Sequence, residues 1–506
     1  MLLSKKVKKG KIMAQENNNQ NTQELSHEID IRRGKIEKLK AEGKIPYAEK
    51  FDRTHKICEA RNLPEGTTVS VCGRMTFRRI MGKLSFFVIQ DIEGKIQVSI
   101  GRNEMDEETY TFYKQMVDVG DFVGVTGELY VTHTGEVTVR TREFALLSKA
   151  MLPLPEKFHG LSNIEQRYRE RYMDLVSNEE SREVFLKRSK LLSYIRKFLG
   201  ENGFLEVETP ILQGAVCGAS AKPFFTHHNA LDKECNLRIA PEVYLKQVIA
   251  GGFDRVFEVA KCFRNEGMDP SHLQEFTMVE WYASYWNFED NIRFFTEFIR
   301  GALMEINGSL ELTVGENTLD FSKEFRRINY TEEVNKILGL NVLDYTDVNE
   351  FKKAVVATGL FDEDEFDQCK TVGGVIDIVY KRKIRQHIVE PTVLYNYPAC
   401  LVPLARRNDE DSRRIDMFQV LVLGDEICKA YSELVDPIVQ REALEDQAKA
   451  KLDGDDEAMD LDEDFLLAME HGMPPISGLG FGVDRLMVLL TGQPSIRDVV
   501  LFPMMK

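Results

Sequence analysis

In DRVFEVAKCFRNEGMDPSHLQEFTMVEWY, residues 254–282, an arginine, an aromatic ring and a carboxylate fall where a hairpin would set them side by side. Two alternating runs flank a loop rich in Gly, Asp, Pro and Ser, which predicts two antiparallel strands. Strand side chains alternate faces, so Phe276, Glu280 and Tyr282 share one face and Arg264 closes the opposite strand. A fixed cation can hold a phosphate, a ring can stack on a base, and a carboxylate can hold an amine. Alone, the pattern also fits a surface hairpin carrying an ion pair. A second run, EICKAYSEL, spaces Lys429, Tyr431 and Glu433 two apart, hence on one face if it is a strand. Farther on, GLGFGVDRL at 478–486 joins glycines to an arginine, Arg485. No Ser/His/Asp constellation accompanies them.

The elements that must position these groups fall into two parts. HEIDIRRGKIEKLKAEGK reads as a helix ending at Gly43 and Pro46, with charges of both signs. Over 67–148 the runs TTVSVCGRM, KLSFFVIQD, KIQVSI, DFVGVTGELYVTH and GEVTVRTREFALLS alternate polar and apolar residues between turns. Five short strands in that span predict a small closed barrel, and the OB fold is the common barrel of that size. After a connector comes SREVFLKRSKLLSYIRKFLGENG, an amphipathic helix with Leu186, Leu191, Ile195 and Phe198 on a helical period. Strands such as RVFEVAKCFR and EFTMVEWYASY mix with helices beyond it, and 301–390 reads as a helical insertion. The expected class is α+β. Its parts are a disordered polar tail (1–26), helix and barrel (27–150), connector (151–176) and a mixed, mainly antiparallel sheet with flanking helices (177–506).

The hairpin resembles motif 2 of class II aminoacyl-tRNA synthetases, and GLGFGVDRL is similar to their motif 3. FRNE followed far downstream by GLGxGxDR is a specific pairing. GFLEVETPIL resembles motif 1, with Pro210 at its edge, which implies a homodimer. KPFFTHHNALD, LRIAPEVYLKQ, EICKAYSEL and FPMMK narrow the resemblance to the lysyl-tRNA synthetase family, from about residue 27 to the C-terminus. It implies that ATP meets Arg264, Glu266, His272, Phe276, Glu426 and Arg485, with Arg264 and Arg485 catalytic. His272 is otherwise an exposed loop histidine. L-lysine would meet Gly218, Glu242, Glu280, Tyr282, Lys429, Tyr431 and Glu433, because carboxylates and phenols suit two ammonium groups and repel aspartate. In the barrel, Arg79, Phe86, Gln97 and Glu136 would read the tRNA(Lys) anticodon. Mg2+ would rest on Glu426, where the family has a second glutamate at the position of Gln419 and an asparagine at that of Lys429. This suggests that the Lys429 ammonium replaces one ion; the alternatives are that it pairs with the substrate carboxylate or with Glu433, or that it points to solvent. The motif 2 loop also departs from the family, with Ser271, Leu273 and Gln274 in place of an arginine and an Asn-Pro pair.

Bulk properties narrow the remaining classes. At 506 residues the chain needs two to four cores. A net charge of −16 argues against a surface that binds nucleic acid everywhere. Eight cysteines without a CxxC pair suggest neither zinc nor disulfides. No apolar run is long enough for a signal or a membrane span, so a cytoplasmic protein is expected. Five lysines within residues 1–11 form either a solvated tail or a tRNA-gripping arm, and Met13 is an alternative start. An aspartate or asparagine enzyme is disfavoured by Glu242, Glu280 and Glu433. A ligase that lysylates a translation factor would lack the barrel, and an inactive binding module would not keep Arg264, Glu266, Phe276 and Arg485.

Overall fold

The computed structural model describes residues 25–154, 161, 163–219, 221–267, 269, 271–402, 405–452 and 458–505, so the expected tail lies almost wholly outside the described residues. The chain divides into two compact units, Met1–Glu179 and Glu180–Lys506.

In the first unit, β1 (Thr68–Met81), β2 (Leu84–Gln90), β3 (Lys95–Gly101), β4 (Phe122–Val131) and β5 (Val137–Ser148) close a barrel in the order β1-β2-β3-β5-β4. All five strands fall where alternation predicts them. Phe87, Ile89, Ile96, Val98 and Val139 point inward and are buried, which leaves the intervening side chains outside. The helix at 25–41 is tied to the barrel by charge rather than by apolar area alone. Lys149, fully buried, pairs with Asp121 at 2.7 Å and with Asp118, and Lys35 holds Asp118 at 2.6 Å. Sharing two carboxylates between two ammonium groups keeps the buried charges compensated. The connector carries two short helices, Ile164–Arg169 and Arg171–Ser177.

The second unit is built on eight strands: β6 (Leu205–Glu206), β10 (Arg255–Phe263), β11 (Glu275–Ser284), β14 (Arg326–Asn329), β15 (Thr392–Pro398), β16 (Arg414–Val422), β17 (Asp425–Ser432) and β18 (Ile476–Gly482). Their order is β14-β15-β16-β17-β18-β11-β10-β6, parallel only at the two edge pairs. Three short strands, β7 (Leu212–Gln213), β8 (Phe224–His228) and β9 (Lys233–Leu237), form a separate sheet. One face of the large sheet packs on helices Glu179–Glu201, Phe288–Asn307 and Val483–Thr491 through Leu191, Ile195, Trp281, Phe295, Phe298 and Phe481. A buried chain runs beneath it from Trp281 Nε1 to Asn291 Oδ1 (2.8 Å), from Asn291 Nδ2 to Ser477 Oγ (2.6 Å), and from Ser477 Oγ to the Tyr431 carbonyl (2.5 Å). It locks β11, β18 and β17 into one register.

Two expectations need correction. Leu186 is exposed, and the buried stripe of its helix is Val184, Leu191, Ile195 and Leu199. Nor is 301–390 helical throughout: it holds the hairpin β12 (Glu311–Val314) and β13 (Asn317–Asp320) and then β14, an edge strand of the main sheet. The helices Tyr330–Leu338, Val348–Ala357 and Val372–Lys383 follow, with a core of their own around Tyr330, Phe351, Phe366 and Ile376. Short polar strands carry little periodicity, so tertiary pairing decided their state.

Candidate active site

The other face of the large sheet, together with helix Glu242–Ala250 and the Val372–Lys383 helix, surrounds a cavity of about 890 Å³. Every residue assigned above to ATP or lysine lines it, and Gln419 stands behind Glu426 rather than in the lining. Strand register explains the arrangement. Glu280, Gly480 and Lys429 lie abreast on β11, β18 and β17, and so do Tyr282, Gly478 and Tyr431 in the next row. Residues abreast on neighbouring strands put their side chains on one face. The glycines of the middle strand therefore form a trough floor between two walls of functional side chains.

At one end, three carboxylates converge. Glu280 accepts from the Tyr282 hydroxyl at 3.1 Å. Burial, reinforced by Glu242, pushes Glu280 up to about 8. Burial likewise raises Glu433, against the pull of a cation that the residue pattern did not single out. That cation is Lys246, whose Nζ lies 2.6 Å from Glu242 Oε1 and 2.7 Å from Glu433 Oε2. Its spacing from Glu242, four residues on one helix, is the signal that would have found it. Gly218, at φ +94°, packs where a Cβ would meet Glu242 Cβ at 3.3 Å, so a left-handed backbone and a small residue are both needed there. Gly478 of β18 serves the same end: a Cβ there would stand 2.2 Å from Tyr282 Cε1 and 2.5 Å from Glu433 Oε1.

At the other end, two arginines line the cavity. The Arg264 guanidinium stacks 5.1 Å from the Phe276 ring centroid, and its Nε is buried without a hydrogen-bond partner. A buried donor left open is what an anionic ligand would satisfy. Arg485, in the first turn of its helix, donates to the Glu426 carbonyl at 3.1 Å. Beside it, Asp484 accepts from the Thr277 amide (2.9 Å) and pairs with Arg188 (2.6 Å), which fixes this helix to β11. His272 pairs with Asp269 at 2.8 Å on the exposed motif 2 loop, and Glu266 lines the cavity below it. Met278, between Phe276 and Glu280, completes that wall.

Gln419 accepts from the Tyr397 hydroxyl at 2.6 Å and donates through Nε2 to Glu426 Oε2. Its amide thus holds Glu426 in place. The Lys429 ammonium lies 5.4 Å from the Tyr431 ring centroid. Burial opposes its charge, but Tyr431 and Glu426 outweigh burial and raise its pKa.

In the barrel unit, Arg79 and Phe86 are direct cross-strand partners, and Phe86 is followed across the sheet by Ser99. Gln97 donates to Thr138 Oγ1 at 3.0 Å, two residues beyond Glu136, whose carboxylate is 3.7 Å from Arg61. Phe86 and Gln97 each lie between buried neighbours, Ser85 and Phe87 in one case and Ile96 and Val98 in the other, which puts both on the outside of the barrel; Arg79 is exposed and Glu136 half-buried.

Residues 163–506 match the family model described as tRNA synthetases class II (D, K and N), and residues 69–147 match that of the OB-fold nucleic acid binding domain. The chain is 42% identical over 494 residues to a lysine–tRNA ligase of Enterococcus faecalis, covering 96% of this chain and 98% of that protein. It is 40% identical over 504 residues to the one of Bacillus subtilis (98% and 100% covered). To that of Actinobacillus pleuropneumoniae it is 44% identical over 493 residues (96% and 98% covered). With the motif residues gathered in one cavity and both family models matched in order, this chain belongs to the class II tRNA synthetases, in the lysine–tRNA ligase family.

Proposed function

We propose that the chain activates L-lysine with ATP, giving lysyl-adenylate and pyrophosphate, and then transfers lysine to the 3′-terminal adenosine of tRNA(Lys). The observation that carries this reading is the polarity of one cavity: Glu242, Glu280 and Glu433 at one end, Arg264 and Arg485 at the other. The first end takes the two ammonium groups of lysine, and Tyr282, Tyr431 and the Gly218 backbone complete the subsite. The second takes the phosphates, with Phe276 stacking on adenine and Glu266 and His272 at its rim. The lysine carboxylate then attacks the α-phosphorus and pyrophosphate leaves. Arg264 and Arg485 are fixed in advance where negative charge grows, so little reorganisation accompanies the step. The adenosine hydroxyl of tRNA in turn attacks the carbonyl carbon of the mixed anhydride, the acyl–phosphate bond breaks and AMP leaves.

An ion carried by ATP needs only one or two protein carboxylates, the phosphates and water supplying the rest. Glu426 is such a carboxylate, whereas the Gln419 amide is already engaged on both sides. Among the described residues no group of three or more His, Cys, Asp or Glu is placed to cage a metal. The donor set therefore fits Mg2+ brought by the nucleotide and held by Glu426, where it would neutralise phosphate charge. Lys429 provides a second, fixed positive charge nearby.

The reading includes a homodimer through 203–212, supported by the exposed apolar Leu205, Ile211 and Leu212. It also includes a cytoplasmic location. No helix among the described residues is long and apolar enough to cross a membrane.

Anticodon reading by Arg79, Phe86, Gln97 and Glu136 is tested by Phe86→Ala. Losing a base stack of about 1–3 kcal/mol lowers kcat/KM for tRNA(Lys) by roughly 5- to 150-fold. Lysine-dependent exchange of pyrophosphate into ATP stays unchanged, because the barrel takes no part in it. An equal loss in both assays would remove the barrel from tRNA recognition.

A further inference from the structure

Lys246 is the cation at the centre of the carboxylate end, and none of the steps above uses it. It is buried, with its side chain 6% exposed, and it bridges Glu242 and Glu433 at 2.6 and 2.7 Å. Its Nζ is 5.9 Å from the Tyr282 ring centroid. The groups facing it are Glu242 on its own helix, Glu433 just after β17, Glu280 and Tyr282 on β11, and the Cys217 thiol beside Gly218. Glu242 and Glu433 reach for the same nitrogen, so without it they would face each other in a buried cavity, where like charges suppress ionisation. Burial already raises Glu280 and Glu433, and it opposes the charge on Lys246 as well, but Glu242 and Glu433 outweigh that and keep Lys246 protonated.

Charge matching gives this pair of contacts a purpose. Lys246 offsets one of the two charges it bridges, and the pair keeps a net negative charge that an ammonium of lysine would meet, beside the buried Glu280 carboxyl. Each bridged carboxylate spends one oxygen on Lys246, which holds the other in a fixed direction. We propose that Lys246 is a positioning and specificity-determining residue: an internal ammonium that compensates the charge of Glu242 and Glu433 and aims both, so that neither of this pair must lose a proton when a diamino acid binds. This rests on the placing of lysine among Glu242, Glu280 and Glu433.

The test compares full-length wild type, Lys246→Met, Lys246→Arg and Glu433→Gln, with KM for lysine and for ATP measured by pyrophosphate exchange from about pH 6 to pH 9. Met keeps the unbranched length and removes the charge. In Lys246→Met, one bridged carboxylate takes up a proton that lysine must expel. Its lysine KM is therefore raised about tenfold or more near neutral pH, and falls about tenfold per pH unit as that group ionises. ATP KM stays within about twofold, because the nucleotide end is untouched. Lys246→Arg, which can hold two carboxylates, stays within about threefold of wild type throughout. A merely structural lysine would lower stability or kcat and leave the pH profile where it was. The proposal is overturned if Lys246→Met keeps the wild-type lysine KM and profile, if Lys246→Arg loses as much as Met, or if neither variant folds. If Glu433→Gln leaves lysine KM unchanged, it is the subsite assignment that fails, whatever Lys246 does.

Discussion

Gly478→Ala is expected to remove lysine-dependent adenylate formation while sparing ATP binding. The added methyl would stand 2.2 Å from Tyr282 Cε1 and 2.5 Å from Glu433 Oε1. The backbone cannot yield, because β18 is paired on both sides, Gly478 lying between Tyr282 and Tyr431. The side chains must move instead, and they are the ones proposed to meet the substrate. Overpacking of this kind costs about 1–3 kcal/mol, roughly 5- to 150-fold in affinity, before the misplaced ligands are counted. Lysine KM should therefore rise by about a hundredfold or more, with ATP KM within about threefold. A parallel rise in ATP KM would mean that Gly478 serves the nucleotide instead.

Arg264→Ala should be as severe in a different parameter. The guanidinium lies over Phe276 with Nε unpartnered, already placed for an anion. Removing one preorganised group that meets transition-state charge costs about 10²–10³ in kcat. Exchange turnover should fall by that factor, whereas lysine binding measured calorimetrically without ATP should be unaltered, since the arginine belongs to the opposite end of the cavity. Loss of lysine binding on the same scale would make Arg264 a structural residue.

Alternation along one strand is a local property, and it is what made the site legible. It placed Glu280 with Tyr282, and Lys429 with Tyr431 and Glu433, before any pairing was known. The same alternation marked all five barrel strands. What alternation cannot give is register between distant strands. That Gly478 lies between Tyr282 and Tyr431 is set by the chain Trp281–Asn291–Ser477 and by core packing contributed from far apart in sequence. That Gly478 is a space left for Tyr282 and Glu433 consequently could not be read from the run 478–482 alone. Lys246 was half legible: its four-residue spacing from Glu242 is local, but the pairing with Glu433 crosses from helix to sheet. The β12–β13 hairpin and β14 were hidden for a related reason, since four-residue strands owe their state to their partners.

The most direct test of the account is amino-acid-dependent exchange of labelled pyrophosphate into ATP by the full chain, with each standard amino acid offered singly. A cavity with three carboxylates at one end and two arginines at the other predicts exchange with lysine, which Glu433→Gln weakens through lysine KM and not through ATP KM. Exchange with aspartate or asparagine at a rate matching lysine would contradict it.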